Sequence, residues 1–264
     1  MFRESCVNEV LFMTAPNVDA KHAFTTRFGG ASHGFYKSLN LGLNVGDDRK
    51  TVLENYFILC RAIGITPDDL VVSRQVHGAD VSVITKADRG ALFLQTNRKV
   101  DGLITNEPGV ALMVFTADCV PILLHDPISG AIGAIHAGWR GTSADIAGVA
   151  IRKMEKEFGC RPDNINAAIG PCISRCCFET DHDVVLELSR ILGKNADKCY
   201  DNQGSKYMVD LKKANMLLLE RAKVSSITVS DECTSCSCDK YWSHRKTKGH
   251  RGSQAALIVK GISS

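Results

Sequence analysis

The sequence predicts an α/β fold built on a mixed sheet, and two observations indicate it. Short apolar runs rich in Val and Ile, typical of buried strands, alternate with longer segments whose apolar residues recur on one helical face. Hydrophobic residues make up 44% and charged residues 23% of the 264 positions, as in ordinary globular domains. No repeat and no linker rich in Pro, Gly and Ser divides the chain, so we expect one domain over residues 1–264.

Nine brief apolar segments are the predicted strands, and several of them are bounded by Gly, Pro or Asp. They span residues 22–26, 70–76, 79–84, 110–115, 121–124, 131–135, 165–169, 227–230 and 255–259.

Four segments with apolar residues at helical spacing are the predicted helices. They span residues 48–63, 142–158, 183–192 and 211–222. Gly159 is a suitable stop for the second helix, and Asp181 and Asp210 are placed to cap the third and fourth.

Charge and hydropathy exclude several classes of partner. The net charge is only +3 and the basic residues are scattered, which argues against a nucleic-acid surface. The densest basic stretch, residues 244–251, is interpreted as a solvated loop that orders at most on an anionic ligand. No run approaches the roughly twenty apolar residues of a membrane span, and the first residues lack the pattern of a signal peptide. We therefore expect a cytoplasmic protein without nucleic-acid or membrane partners; the oligomeric state is left open.

Three short segments each place a metal-capable side chain at the edge of an apolar strand: His77, Cys119 and His136. Two imidazoles and one thiolate suit Zn²⁺, and three protein ligands leave a fourth position open, as in catalytic zinc sites. Their spacing matches no local zinc motif, however. From pattern alone a buried cysteine and two satisfied histidines are favoured.

The same segments belong to a series of ordered blocks that resembles the YfiH/YlmD family, whose members are also called polyphenol oxidoreductase laccases. The blocks, in one-letter code, are TRFGGAS at 26–32, LNLG at 39–42, QVH at 75–77, VDGLIT at 100–105, ADCVP at 117–121, HAGWRG at 136–141, GPCI at 170–173, CFE at 177–179, Asp210-Leu211 with Asn215, Cys233-Thr234, and WSHR at 242–245. Because they follow one another in order through most of the chain, they form a specific match.

The resemblance implies a fold, a metal and an activity. The family has a layered α/β sandwich related to toxin deamidases that use a Cys–His pair, and His77, Cys119 and His136 match its metal ligands, usually described as binding zinc. It also implies phosphorolysis of purine nucleosides such as adenosine, 5′-methylthioadenosine and inosine, together with adenosine deamination. We therefore expect one Zn²⁺ per chain, with a purine nucleoside and phosphate as substrates.

Further site residues are proposed from the matched blocks. Arginine makes bidentate bonds to phosphate, so Arg27, Arg140 and Arg245 are the candidate anion-binding set. Candidates for hydrogen bonds to sugar or base are Asn40, Gln75 and Ser243. Asp118, next to Cys119, is a candidate for orienting a ligand or transferring a proton, although a turn-capping role is slightly favoured. Asp101 is interpreted as a turn residue.

Two other functions stay open. Imidazole and thiolate ligands also bind Cu²⁺, so a copper-dependent polyphenol oxidase is one alternative, although eight histidines leave few for a trinuclear copper cluster. The other, which the resemblance also implies, is an amide hydrolase acting on peptidoglycan precursors, with Cys119 as the nucleophile and His136 as the base. The zinc mechanism and the hydrolase mechanism exclude each other, because a Cys119 thiolate that is bound to zinc is not free to act as a nucleophile.

The chain has eleven cysteines, and the sequence does not settle the roles of those in its C-terminal half. In a reducing cytosol they are read as thiols or metal ligands, not as disulfides. A second metal site or a redox pair is an alternative, but reduced thiols in a mobile loop are the favoured interpretation. The cysteines concerned are Cys172, Cys176, Cys177, Cys199, Cys233, Cys236 and Cys238.

Overall fold

Two six-stranded sheets and a three-stranded sheet form the framework of the computed structural model, which describes residues 1–90 and 97–261. The strands are β1 Arg3–Val7, β2 Val10–Thr14, β3 Lys21–Thr25, β4 Leu70–Val71, β5 Val81–Val83, β6 Gly102–Thr105, β7 Ala111–Thr116, β8 Val120–His125, β9 Ile132–Ala137, β10 Asn166–Ile169, β11 Glu179–Thr180, β12 Tyr200–Gln203, β13 Lys206–Val209, β14 Ser226–Val229 and β15 Gln254–Val259. The α-helices are α1 Arg49–Ile63, α2 Trp139–Ser143, α3 Ile146–Phe158, α4 His182–Leu192 and α5 Leu211–Arg221.

Each large sheet mixes parallel and antiparallel pairs. The first sheet has the order β1-β2-β3-β15-β7-β4, and only its β4–β7 pair is parallel. The second has the order β14-β10-β8-β9-β6-β5, with parallel pairs at its two ends. The small sheet, β11-β13-β12, is antiparallel.

The two large sheets lie between helices, which gives a stack of four layers: α1, the first sheet, the second sheet, and helices α3 to α5. Side chains that point alternately to the two faces of each strand fill the spaces between these layers. In β8, Leu123 packs with residues of the first sheet, whereas its neighbour Ile122 packs with helices α3 to α5. On the far side of the first sheet, Tyr56 and Leu59 of α1 close a third apolar cluster. Because successive side chains of a strand point to opposite faces, strands buried on both faces read as continuous apolar runs. The predicted α/β fold with a mixed sheet is confirmed, as a helix–sheet–sheet–helix sandwich.

Predicted elements and structure differ in a few places. The segment predicted as a strand over 70–76 pairs only at Leu70–Val71, and strands β1, β2, β6, β11, β12 and β13 were not predicted. The predicted helix over 142–158 is two helices, because Asp145 has a φ of 57° and caps α3 by accepting from the Gly148 amide at 3.2 Å. Asp210 caps α5 as expected, but the Asp181 side chain makes no such bond. Among the described residues no helix is long and apolar enough to cross a membrane.

Candidate metal centre and cavity

Strand register brings the three metal-capable side chains together. Val120 of β8 pairs with Ala137 of β9, so Cys119, just before β8, lies beside His136. His77, on the loop between β4 and β5, completes the group. The ligand atoms of the three side chains all lie within 4.8 Å of one another. The structure therefore contains a His/Cys/His site capable of binding a metal.

A buried carboxylate, Asp101, organises this site. It lies just before β6 and receives the backbone amides of Val76, His77 and Gly78 at 2.8–3.1 Å. Its Oδ1 is also 2.8 Å from Nδ1 of His136. Burial opposes ionisation, but the His136 and amide bonds outweigh it and lower the pKa of Asp101. Asp101 thus holds the loop that carries His77 and orients the ring of His136. A carboxylate in this position is the usual support of a metal-bound histidine. Asp101 therefore does more than the turn residue that the sequence predicted.

The charges of Cys119 and His136 stabilise each other. Burial alone would raise the pKa of Cys119, but the adjacent His136 and His77 lower it to about 6. Burial alone would lower the pKa of His136, but Cys119 and Asp101 raise it to about 9. A thiolate is therefore already present at neutral pH, which is the form that a metal or a nucleophilic mechanism needs.

The space around the site is kept clear by Gly138. A Cβ added there would lie 3.1 Å from Cδ2 of His77 and 3.3 Å from Sγ of Cys119. His77 and Asp118 both have positive φ, 61° and 86°, a conformation that costs non-glycine residues free energy and clusters at functional sites. The local backbone is thus shaped around the three ligand atoms, and the donor set fits a thiophilic ion such as Zn²⁺ or copper.

A cavity of about 870 Å³ contains all three side chains. It is lined by residues from both large sheets and from the loops that join them to the helices. Five arginines face it: Arg49, Arg74, Arg140, Arg245 and Arg251. Within the part of the chain that the structure describes, none of the five forms an ion pair with a carboxylate. Asp118 is the one carboxylate among the described lining residues, so the five arginines give the cavity a net positive charge.

The arginines differ in how firmly they are held. Arg140 stacks on Trp139, 4.2 Å from the ring, and its guanidinium makes no hydrogen bond to any described residue. Arg245 donates to the carbonyls of Cys177 and Glu179 at 2.9 and 2.8 Å. Burial lowers the pKa of Arg251, although Cys119 and Asp118 lie near enough to oppose this effect. The Arg251 guanidinium donates to the Gly252 carbonyl at 3.1 Å and to the Ser253 hydroxyl at 2.7 Å.

Several predicted substrate-binding residues do not line the described cavity. Arg27 donates to the carbonyls of Phe35, Lys37 and Cys238 and lies 3.8 Å from the Trp242 ring. Asn40 is fully buried and binds Asp47 and the amides of Gly42 and Ser253. Both side chains hold loops in place through these contacts, and neither lines the cavity in which a substrate would bind.

The side chains of Ser243 and Gln75 are also occupied by hydrogen bonds within the protein. The Ser243 hydroxyl is buried and donates to Asp118 at 3.0 Å. Gln75 lines the cavity, but its amide donates to and accepts from the Phe115 backbone at 2.8 and 2.7 Å. Both therefore hold the wall in place.

Asp118 anchors the long loop of residues 230–253, which connects β14 to β15. Its carboxylate accepts from the Thr234 hydroxyl at 2.6 Å, from Ser243 and from the Arg245 amide at 2.6 Å. These bonds agree with the structural interpretation favoured for this residue. They also explain how residues distant in sequence reach the cavity beside Cys119.

Residues 244–251, interpreted as a solvated loop, contribute His244, Arg245 and Arg251 to the cavity. The basic stretch is visible in the sequence, but which of its side chains turn inward is not. Arg49 and Arg74 lie outside the matched blocks, and no sequence pattern around them predicts a place in the cavity.

Comparison with known proteins agrees with this geometry. A family model described as "Multi-copper polyphenol oxidoreductase laccase" matches residues 21–261. The chain is 41% identical over 249 residues to purine nucleoside phosphorylase YlmD of Geobacillus stearothermophilus, covering 92% of this chain and 91% of that one. It is 35% identical over 240 residues to adenosine deaminase RL5 of an unknown prokaryotic organism, covering 88% and 91%.

Solved structures show the same fold. The crystal structure of YlmD from Geobacillus stearothermophilus superposes with a TM-score of 0.93 at 38% identity, covering 99% of both chains. That of the Bacillus licheniformis hypothetical protein YfiH superposes with a TM-score of 0.92 at 31% identity, covering 98% of both. Sequence, fold and site thus agree that this chain is an enzyme of the YfiH/YlmD family, the family described as multi-copper polyphenol oxidoreductase laccase.

Proposed function

We propose that the chain is a zinc-dependent purine nucleoside phosphorylase that also deaminates adenosine. Its substrates would be adenosine, 5′-methylthioadenosine or inosine together with phosphate, and its products a free base and ribose 1-phosphate. One observation carries the proposal: a metal-capable group shares one cavity with five arginines that form no ion pair with a described carboxylate. The relatives named purine nucleoside phosphorylase support it.

His77, Cys119 and His136 would hold the zinc ion. Because Asp101 occupies Nδ1 of His136, that ring presents Nε2 to the site. When bound, Zn²⁺ supplies a Lewis acid and lowers the pKa of bound water towards neutrality. Copper could occupy the same donors, which fits the description of the family as multi-copper oxidoreductases without requiring oxidation as the role.

The arginines would bind phosphate against the ribose. In phosphorolysis a phosphate oxygen bonds to the anomeric carbon while the glycosidic bond breaks and the base leaves with a proton. Arg140 is suited to the incoming anion because its guanidinium has no hydrogen-bond partner among the described residues. Arg245, which lines the cavity, would be a further ligand of the anion, and Arg251 would balance the negative charge of Cys119 and Asp118.

The test is product analysis by chromatography after zinc-loaded protein meets adenosine, with and without phosphate. We expect adenine and ribose 1-phosphate only with phosphate, and loss of both in His77→Ala. Arg140→Ala should raise the KM for phosphate about tenfold or more, as losing a charged hydrogen bond implies. Arg161→Ala, at an exposed arginine paired with Asp163, is the matched control and should leave the KM unchanged.

Deamination is the second candidate, because one relative is named adenosine deaminase. Inosine formed without phosphate, and lost on removing zinc, would identify it as the main reaction.

The cysteine-hydrolase alternative predicts a different response. The pKa of Cys119, lowered to about 6, would permit a thiolate nucleophile in metal-free protein. If activity survives a chelator but is abolished by iodoacetamide, the zinc proposal is wrong. If the chelator removes activity and zinc restores it, the hydrolase alternative is excluded.

A further inference from the structure

A second group of thiols lies outside the cavity, where two distant segments meet. Cys176 and Cys177 precede β11, and Cys233 and Cys236 lie in the turns that follow β14. Their four sulfur atoms all lie within 4.8 Å of one another. We propose that these four cysteines bind a structural Zn²⁺ ion, separate from the one proposed at His77.

The sulfur spacing fits a tetrahedral zinc site. With Zn–S bonds near 2.3 Å, the edge of such a tetrahedron is about 3.8 Å. Sγ of Cys176 lies 3.8 Å from that of Cys177 and 3.5 Å from that of Cys236, and Cys177 and Cys236 are 3.4 Å apart. These separations are far longer than the roughly 2.05 Å of a disulfide bond, and all four cysteines are free.

A backbone donor and the sequence spacing both fit a metal site at the most buried member, Cys233. The Ser174 amide donates to Sγ of Cys233 at 3.3 Å. Cys233 and Cys236 form a Cys-x-x-Cys pair, a common spacing of structural zinc ligands. Cys176 and Cys236 are exposed, so an ion can reach the group from solvent.

The ion would join the two segments that shape one wall of the cavity. Few backbone bonds connect them: Cys172 and Cys233 form an isolated bridge, and the Thr234 amide donates to the Cys172 carbonyl at 3.0 Å. Phe178, directly after Cys177, lines the cavity, and Arg245 donates to the Cys177 carbonyl. Four protein thiolates leave no open position, which is typical of a structural site.

Metal analysis of the reduced, purified full chain tests the proposal. We expect Cys236→Ser to hold one zinc ion fewer per chain than wild type. Cys238→Ser is the matched control, two residues away but outside the group, and should hold as much zinc as wild type. Because Cys236 is exposed, the serine variant should fold, which circular dichroism checks.

Cobalt gives a second readout that is independent of activity. In Cys119→Ser, which disables the cavity site, added Co²⁺ should still produce the thiolate-to-cobalt absorption of a tetrahedral sulfur site. Adding Cys236→Ser should abolish that absorption. Equal zinc in wild type and Cys236→Ser, no cobalt absorption in Cys119→Ser, or a disulfide among these cysteines in freshly reduced protein would each overturn the proposal.

Discussion

At the scale of single residues, Asp101 has the widest influence on the site. One buried carboxylate holds three consecutive amides around His77 and the ring of His136. The sequence located the metal-capable residues because they lie in ordered blocks. It did not indicate the role of Asp101, because an Asp-Gly pair is equally typical of a turn. That role depends on the pairing of β6 with β9, which local pattern does not specify.

Asp101→Asn should weaken metal binding by about 10–100-fold, the usual cost of losing a supporting carboxylate. Asparagine keeps the shape but places an amide donor where the carboxylate now accepts from backbone amides or His136. Competition with a chromophoric chelator measures the dissociation constant. Asp163→Asn, at an exposed carboxylate paired with Arg161, is the control. An unchanged dissociation constant in Asp101→Asn would show that the ring and loop hold their positions without it.

At the scale of elements, long apolar strands were predictable, whereas the short buried strand β6 and the exposed edge strands were not. Strands β7, β8, β9 and β15 are apolar runs buried on both faces, and each was predicted within one or two residues. The edge strand β1 is mostly exposed, and its hairpin turn uses Asn8 and Glu9 with positive φ, without the glycine that usually marks such a turn. The break between α2 and α3 was missed because only Asp145 marks it.

Two strands carry buried histidines that predict acid sensitivity. Burial lowers the pKa of His22 in β3 and of His125 at the end of β8. Below a pH of about 6.5 the unfolded chain takes up protons at these two histidines that the folded chain binds less readily, so their contribution to stability falls as pH decreases. The raised pKa of His136 acts in the opposite direction. The slope is at most about 1.4 kcal/mol per pH unit for each histidine.

Urea unfolding between pH 7.5 and 5.5 measures this dependence. His22→Gln should lose less stability over that range than wild type, because glutamine can keep a hydrogen bond to the Ala15 amide or Ala20 carbonyl without taking up a proton. The exposed His33→Gln serves as the control. Parallel curves for His22→Gln and wild type would assign the acid sensitivity to other groups.

At the scale of the whole molecule, the cavity requires the complete stack. Its wall takes Phe115 from the first sheet, His136 from the second and Arg49 from α1. The sequence predicted the fold class, the metal-capable group and two of the cavity arginines, Arg140 and Arg245. It did not predict that Arg49, Arg74 and Arg251 face the same cavity. Whether an arginine faces inward, and whether a carboxylate neutralises it, depends on contacts between distant segments. The extent of the domain over 1–264 stays a prediction.

Phosphate should therefore stabilise the folded protein. An anion that binds only the folded state at one hundred times its dissociation constant adds about 2.7 kcal/mol. For a chain of this size the Tm should rise by about 5–10 °C. Differential scanning fluorimetry with phosphate, against sodium chloride at equal ionic strength, measures the shift. A smaller rise is expected in Arg140→Ala and a full rise in Arg161→Ala; equal shifts with both salts would exclude a specific anion site.

The position of β15 has a consequence for biosynthesis. It is the last strand of the described chain, yet it pairs with β3 and β7 in the middle of the first sheet. A ribosome therefore releases residues 254–259 only after both neighbours have long been exposed. Until then each neighbour presents an unpaired edge, the kind of surface on which chains associate wrongly. Chains cut short before residue 254 would keep those two edges open, so premature termination should yield aggregates in place of a smaller folded protein.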